Sequence, residues 1–168
     1  SGVGASRWDD KSGNELHGTI TAGATAPTVE NAPADADSGL TYEEGTFTAS
    51  LTSATPPTVV PTATCNYTKI GNVVNVFIRF TNVDTSGGSG NMSITGLPFT
   101  SKNIVDASVS IPMTHQLDIP NAYVSSYIPG NGTTISFLSP TDDGSWSDVT
   151  MTAGAGRYLS LSHTYLSA

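Results

Sequence analysis

The sequence has little cysteine, few positive charges and no long apolar run, and each shortage excludes a class of protein. One cysteine, Cys65, permits neither an internal disulfide nor a cysteine cluster for a metal. Lys and Arg number 6 against 14 Asp and Glu, so the formal net charge of -8 repels phosphate backbones and anionic lipids. No segment approaches the roughly 18 apolar residues of a membrane span. Neither nucleic acid nor membrane is therefore expected as a partner.

The composition favours strands and turns over helices. Charged residues make up 12% and hydrophobic residues 37% of the 168 residues, with 17 Gly and 10 Pro and many Ser, Thr and Asn. Such a mixture is poor in helix formers and rich in residues that form strands and tight turns. The length fits one domain with a short arm, so we expect a single all-β core in which Cys65 is buried as a small apolar side chain.

The first 42 residues differ from the rest. They show no sustained period of 2 or 3.6 and are rich in Ala, Gly, Pro, Asp and Thr. We interpret residues 1–42 as an irregular N-terminal arm or linker from a longer fibre, because Arg7, Trp8, Asp9 and Asp10 form a charged and aromatic cluster that a disordered tail would not need. The alternative is a partly disordered terminus. The domain proper is predicted at residues 43–168.

The clearest strand signal lies at residues 72–83, where apolar side chains recur at every second position. One face carries Val74, Val76, Ile78 and Phe80. The other face carries Asn75, Phe77, Arg79 and Thr81. This alternation predicts a central strand with one face in the core.

A similar alternation at residues 105–115 predicts a second strand with a core face. Its apolar side consists of Val105, Ala107, Val109, Ile111 and Met113. Pro112 lacks a backbone N–H, which indicates an edge position or a bulge near the end of this strand.

Turn signals separate the other predicted strands, which span residues 46–53, 65–70, 91–95, 122–128, 133–138, 147–152 and 158–166. Gly71 is expected to reverse the chain, and the Pro-Gly-Asn-Gly segment at 129–132 predicts a hairpin between Tyr127 and Ile135. About nine short strands in one domain predict an antiparallel β-sandwich, with a jelly roll as the first choice.

Two stretches carry a family resemblance. They are residues 67–76, YTKIGNVVNV, and residues 90–99, GNMSITGLPF, on either side of a glycine-rich loop. In these stretches the chain resembles the C-terminal domain of bacteriophage tail fibre and tail spike proteins. Residues 7–10, 42–47 and 159–165 are similar to segments that flank or close that domain, so the resemblance covers most of residues 42–168.

The resemblance implies a virion appendage protein. Such domains form homotrimers, hold the fibre subunits together and contact glycans on the host surface. It also implies assembly in the host cytoplasm followed by an extracellular location on the virion tail, which suits a chain with one cysteine. No catalytic residue is carried over from the family.

Candidate catalytic groups do not converge in the sequence. Glu43 and Glu44 are adjacent on a predicted strand and point to opposite faces, so they cannot both line a glycosidase cleft. His17, His115 and His163 have no nucleophile motif near them. His163 is in register with Leu159 and Leu161, which predicts a partly buried or interface histidine. We therefore expect no enzymatic activity.

No cofactor is expected, and calcium is the ion for which the sequence offers donors. Asp35 and Asp37 alternate with other residues before Gly39, and further oxygen donors recur at residues 142–148. Neither segment has the full spacing of an EF-hand loop, which ends in a bidentate Glu. A calcium site is left open, and no other metal site is expected.

A glycan site is the sharpest expectation from the residues themselves. Aromatic faces contact the C–H surfaces of sugar rings, while Asn, Asp, Ser and Thr bind their hydroxyls. Two groups combine both kinds of residue. The predicted carbohydrate-binding residues are Trp146 with Asp142 and Asp143, and Tyr123 and Tyr127 with Asn121. The alternative is that Trp146 covers the end of the sandwich and the tyrosines pack between subunits.

Three functions are thus open at this point. The first is a tail fibre or spike domain that trimerises and binds host carbohydrate without catalysis. The second is a purely structural trimerisation or capsid-decoration domain. The third is a polysaccharide depolymerase.

Overall fold

A computed structural model describes residues 41–106, 108–110, 112–115, 124–140 and 144–168, together with residues 7–8 and 18–19. The chain divides into two units, Ser1–Asp35 and Ala36–Ala168. In the first unit, strand β1 (Arg7–Trp8) pairs antiparallel with β2 (Gly18–Thr19). The rest of the predicted arm up to residue 40 lies outside the described residues. Within the described residues, no helix has the length and apolar character needed to span a bilayer.

In the described part of the second unit, ten strands form one curled antiparallel sheet. They are β3 (Tyr42–Thr55), β4 (Thr62–Ile70), β5 (Val73–Val83), β6 (Ser89–Thr95), β7 (Ser108–Ser110), β8 (Met113–His115), β9 (Ser125–Ile128), β10 (Thr134–Ser139), β11 (Ser147–Asp148) and β12 (Arg157–Leu166). The order is β7-β9-β10-β6-β3-β4-β5-β12-β8, and β11 adds to β10. The predicted all-β antiparallel sandwich is confirmed, and the jelly-roll connectivity remains a prediction.

Strand β5 is paired on both sides, with β4 and β12, and has one face in the core, as the alternation predicts. Its inward side chains, Val74, Val76, Ile78 and Phe80, are at most 1% exposed. Phe77, on the opposite face, is 54% exposed. Cys65 of β4 is buried against the same core, as expected from the sequence. Burying each large apolar side chain contributes about 1.5–3 kcal/mol, so this alternation fixes which face of β5 points inward.

The prediction of a continuous strand with a core face at residues 105–115 is wrong. The segment forms two three-residue edge strands, β7 and β8, and Pro112 between them is buried. The exposed fractions of Val105, Val109 and Met113 are 88%, 65% and 72%. An alternating pattern shows which residues share a face but not which face is inward. Ala107 and Ile111 lie outside the described residues, while the edge position indicated by Pro112 is confirmed.

Three turns position the strands that carry the outer surface. Gly71 has a φ of 59° in the two-residue loop joining β4 to β5, a conformation that glycine adopts without strain. Asn131, with a φ of 57°, lies in the loop that joins β9 to β10, and this hairpin is confirmed. Gly96 has a φ of 93°, and a Cβ there would overlap the carbonyl oxygen of Thr48. Position 96 must therefore be glycine for the chain to leave β6 this close to β3.

Candidate functional site

Hydroxyl groups line the outer face of three neighbouring strands, β3, β6 and β10. Their inward neighbours Leu51, Ile94 and Ile135 are fully buried, so the alternate residues face outward. The cross-strand register forms two rows of hydroxyl side chains. The first row is Thr134, Thr95 and Ser50, and the second row is Ser136, Ser93 and Thr52. We call these six residues the hydroxyl ladder. Neighbouring hydroxyls are separated by about 4.8 Å across strands and about 6.7 Å along a strand.

Two aromatic residues flank the hydroxyl ladder. Tyr127 of β9 is half-buried and lies directly opposite Ser136, so it extends the second row by one strand. Trp146 precedes β11, which pairs with the far end of β10, and 62% of its surface is exposed. Two strand spacings and about four residues of β10 separate the two aromatic residues, or about 16 Å. An oligosaccharide, rather than a single sugar ring, would cover this span.

Asp148 adds a fixed carboxylate beside Trp146. The side-chain amide of Asn91 donates a hydrogen bond of 2.7 Å to its Oδ2, which leaves Oδ1 directed elsewhere. Both residues are exposed, and the backbone of Asn91 forms a bridge to Thr150. The pair therefore offers an acceptor two residues along the chain from exposed Trp146. Saccharide hydroxyls bind to arrangements of this kind.

The structure describes two of the six residues predicted to bind carbohydrate, Trp146 and Tyr127. The other four, Asn121, Tyr123, Asp142 and Asp143, lie outside the described residues. Sequence patterns did not predict the hydroxyl ladder or the pairing of Asn91 with Asp148. The ladder does have a sequence signal, because Ser or Thr alternates with buried apolar residues in three strands, but the register that aligns them is a tertiary property.

An apolar row crosses the opposite part of the outer face. Tyr42, Ile70 and Val73 are 64%, 51% and 41% exposed, and half-buried Leu166 continues the row. The register places each residue opposite the next on β3, β4, β5 and β12. We call these four residues the apolar row. A contiguous apolar strip on a sheet face is typical of a surface that meets another protein.

A buried histidine joins strands from the two ends of the curled sheet. Ser126 donates to the Ser110 carbonyl at 3.0 Å, so its remaining lone pairs accept from Nε2–H of His163 at 2.9 Å. The unprotonated Nδ1 then accepts from Ser108 Oγ at 2.8 Å. His163 is 2% exposed, and burial lowers its pKa to about 4.

A serine hydrogen-bonded to a histidine is also the pairing found in nucleophilic catalysis. Here the ring that would act as the base is enclosed by the sheet, and Ser126 is fully buried. We therefore assign the Ser108, Ser126 and His163 cluster a structural role. The sequence predicts a partly buried or interface position for His163, whereas the structure buries it almost completely within the chain.

The glutamates that were considered as a catalytic pair bind different tyrosines. Tyr67 donates to Glu43 and Tyr42 donates to Glu44, each at 2.6 Å. Glu44 shares the outer face of β3 with Tyr42, while Glu43 meets Tyr67 from the other face. Each hydrogen bond to a carboxylate raises the pKa of the tyrosine hydroxyl. The separation of the two carboxylates onto opposite faces is confirmed.

The described residues contain no group of three or more His, Cys, Asp or Glu side chains arranged to hold a metal ion. His17, the side chain of His115, and the calcium candidates Asp35, Asp37, Asp142 and Asp143 lie outside the described residues. Calcium binding there remains a prediction.

Comparison with models of protein families finds none that matches this chain, and comparison with curated proteins finds no relative. The functional argument therefore depends on the outer face of the sheet and on the motifs in the sequence.

Proposed function

We propose that the domain is a non-catalytic carbohydrate-binding and trimerisation module of a bacteriophage tail fibre or spike. The observation that carries this proposal is the hydroxyl ladder between Tyr127 and Trp146. Sugar recognition needs flat apolar surfaces together with regularly placed hydrogen-bonding groups. The ladder supplies donors and acceptors on a rigid sheet, and the exposed indole of Trp146 supplies a stacking surface at one end.

Rigid strands favour this kind of binding because the hydroxyls need not be ordered when the ligand arrives. Ser93 and Ser136 are held opposite each other by backbone pairing, and the residues on either side of each are buried. Preorganised groups bind with a smaller entropic cost than flexible loops. The phage assignment itself comes from the resemblance of residues 67–76 and 90–99 to tail fibre and spike domains.

The apolar row supports the trimeric part of the proposal. Exposed Tyr42, Ile70 and Val73 lie side by side, and an association surface would remove them from water. The same observation favours the second candidate, a purely structural trimerisation or capsid-decoration domain. The two candidates differ in one respect, since only the first binds saccharide.

Light scattering on the purified chain, followed by an array of bacterial surface glycans, separates these candidates. The proposal predicts the mass of a trimer and binding to one class of saccharide. A trimer that binds no glycan on the array would favour the structural candidate. A monomer would contradict the trimeric assignment and weaken the resemblance to tail fibre domains, and release of reducing ends from a bound polysaccharide would support the depolymerase.

A further inference from the structure

A groove on the outer face lies between β5, β12 and the edge strand β8. Two adjoining depressions of about 480 and 370 Å³ share Arg79, Met113 and Ser160. The register explains this grouping, because Ser160 is opposite Arg79 on one side and Met113 on the other. Phe77 and Ser162 line the second depression. We call this surface the Arg79 groove.

The groove stays open because β8 is short. β8 begins at Met113, so Ser162, the next outward residue of β12, has no β8 residue opposite it. Among the described residues no strand continues β8 before Met113, which leaves room above Ser160 and Ser162 beside the ring of Phe77.

Arg79 differs in its setting from two other cations of this acidic chain. Lys69 lies 5.0 Å from the centroid of the Phe99 ring, and Arg157 donates to the Ala153 carbonyl at 2.6 Å. Arg79 is exposed and has no carboxylate within ion-pair distance among the described residues. A guanidinium in a partly apolar groove of a protein with net charge -8 is a specific place for an anion to bind.

The surroundings of Arg79 indicate which anion fits. A planar guanidinium binds a carboxylate through two parallel hydrogen bonds, and one such group balances one negative charge. A phosphate monoester carries nearly two charges at neutral pH, more than this groove offsets. Phe77 and Met113, 54% and 72% exposed, give the groove an apolar surface. Ser160 and Ser162 add hydroxyl groups to its lining.

We propose that the Arg79 groove binds a sugar unit that bears a single carboxylate, such as a uronic or sialic acid. Arg79 pairs with the carboxylate, the ring of Phe77 covers the C–H face of the sugar, and Ser160 and Ser162 bind its hydroxyls. This inference rests on the proposed carbohydrate binding, but it assigns a second site on β5, β12 and β8, in another part of the outer face, and names the sugar class.

The test is a set of NMR titrations of the whole chain with methyl glycosides. The acidic probes are the glycosides of glucuronic acid, galacturonic acid and N-acetylneuraminic acid, and the neutral probes are methyl glucoside and methyl galactoside. Glucuronide and glucoside differ only in the carboxylate, so their ratio of dissociation constants isolates its contribution. We expect at least one acidic probe to bind about tenfold more tightly than its neutral counterpart, as a charge-assisted hydrogen bond would give.

Four variants locate the site. Arg79→Gln should remove the preference for the acidic probes. Arg79→Lys should keep only part of that preference, because lysine has the positive charge but cannot donate two parallel hydrogen bonds to a carboxylate. Lys102→Gln makes the same charge change at another exposed cation and should leave the preference intact. Phe77→Thr should weaken binding of the acidic and neutral probes together.

The outcomes separate this inference from the proposed function. Glycan binding that depends on Trp146, with no preference for acidic probes, would overturn the Arg79 site and leave the proposed function in place. An acidic preference that survives Arg79→Gln would also overturn it. A change in the oligomeric mass of Arg79→Gln, without an acidic preference in the wild type, would show that the groove is a contact between copies. If no glycan or probe binds at all, both proposals fail.

Discussion

The imidazole Nδ1 of His163 lies 2.8 Å from the hydroxyl of Ser108, a contact that connects β12 to the edge strand β7. The same ring contacts Ser126 of β9 through Nε2. In the strand order, β7 and β9 lie at one end of the sheet while β12 and β8 lie at the other. A neutral histidine thus links strands from the two ends of the curled sheet, so its protonation should lower the stability of the fold.

We predict that the domain loses stability as the pH falls from about 6.5 toward 4. Burial lowers the pKa of His163 from 6.5 to about 4 in the folded chain. Between these values the unfolded chain binds a proton that the folded chain does not, so the free energy of unfolding decreases as the pH drops. The full loss from this group is on the order of 3 kcal/mol. Urea unfolding at a series of pH values measures it.

A variant isolates the histidine from the carboxylates that also titrate in this range. His163→Gln has no titrating ring, so its free energy of unfolding should vary less between pH 7 and pH 4 than that of the wild type. Its absolute stability is not the readout, since the substitution also alters the hydrogen bonds. Equal pH dependence in the two proteins would mean that His163 is not buried in the neutral form.

Adjacent residues in β5 should respond very differently to substitution. Ile78 is fully buried, and Ile78→Ala should cost about 2–5 kcal/mol in the free energy of unfolding. Phe77→Thr keeps a strand-forming residue on the exposed face and should change it by no more than about 0.5 kcal/mol. Chemical denaturation of both variants checks this. A large loss for Phe77→Thr would place that ring in a contact between subunits.

The thiol of Cys65 should be protected in the folded protein. It is 4% exposed, and burial raises its pKa, so both access and the thiolate fraction are low. We expect a thiol reagent to modify the native chain at least about a hundredfold more slowly than the chain in urea, because reaction requires opening of the core. Cys65→Ala should abolish modification by the thiol reagent. Rapid labelling of the native chain would contradict the burial of β4.

The alternation of residues predicted the core because it reflects a local rule. In β5, Val76 and Ile78 face inward and Phe77 faces outward, as the sequence pattern indicates. The same rule misplaced Val109 and Met113. Both residues lie in edge strands, and the inward side of β7 carries Ser108 and Ser110 instead. The hydrogen bond from Ser108 to His163 joins strands distant in sequence. No local pattern contains that information.

The candidate site was predictable in part for the same reason. Trp146 stands out because an aromatic residue among Asp and Ser is unusual in a turn. The hydroxyl ladder and the Arg79 groove depend on register across strands. Ser93 meets Ser136, and Arg79 meets Ser160, only when β6 and β10, or β5 and β12, are paired. Serine and threonine are so common in this chain that their positions alone do not reveal the pairing.

The most direct test of the carbohydrate-binding claim compares the wild type with Trp146→Ala on the same array of bacterial surface glycans. Val105→Ala, at a position that is 88% exposed on another loop, serves as the matched control. Trp146→Ala should keep its fold and oligomeric mass but lose at least tenfold in affinity for the saccharide class that the wild type binds, while the control binds normally. Unchanged binding by Trp146→Ala would contradict the site assigned beside the hydroxyl ladder.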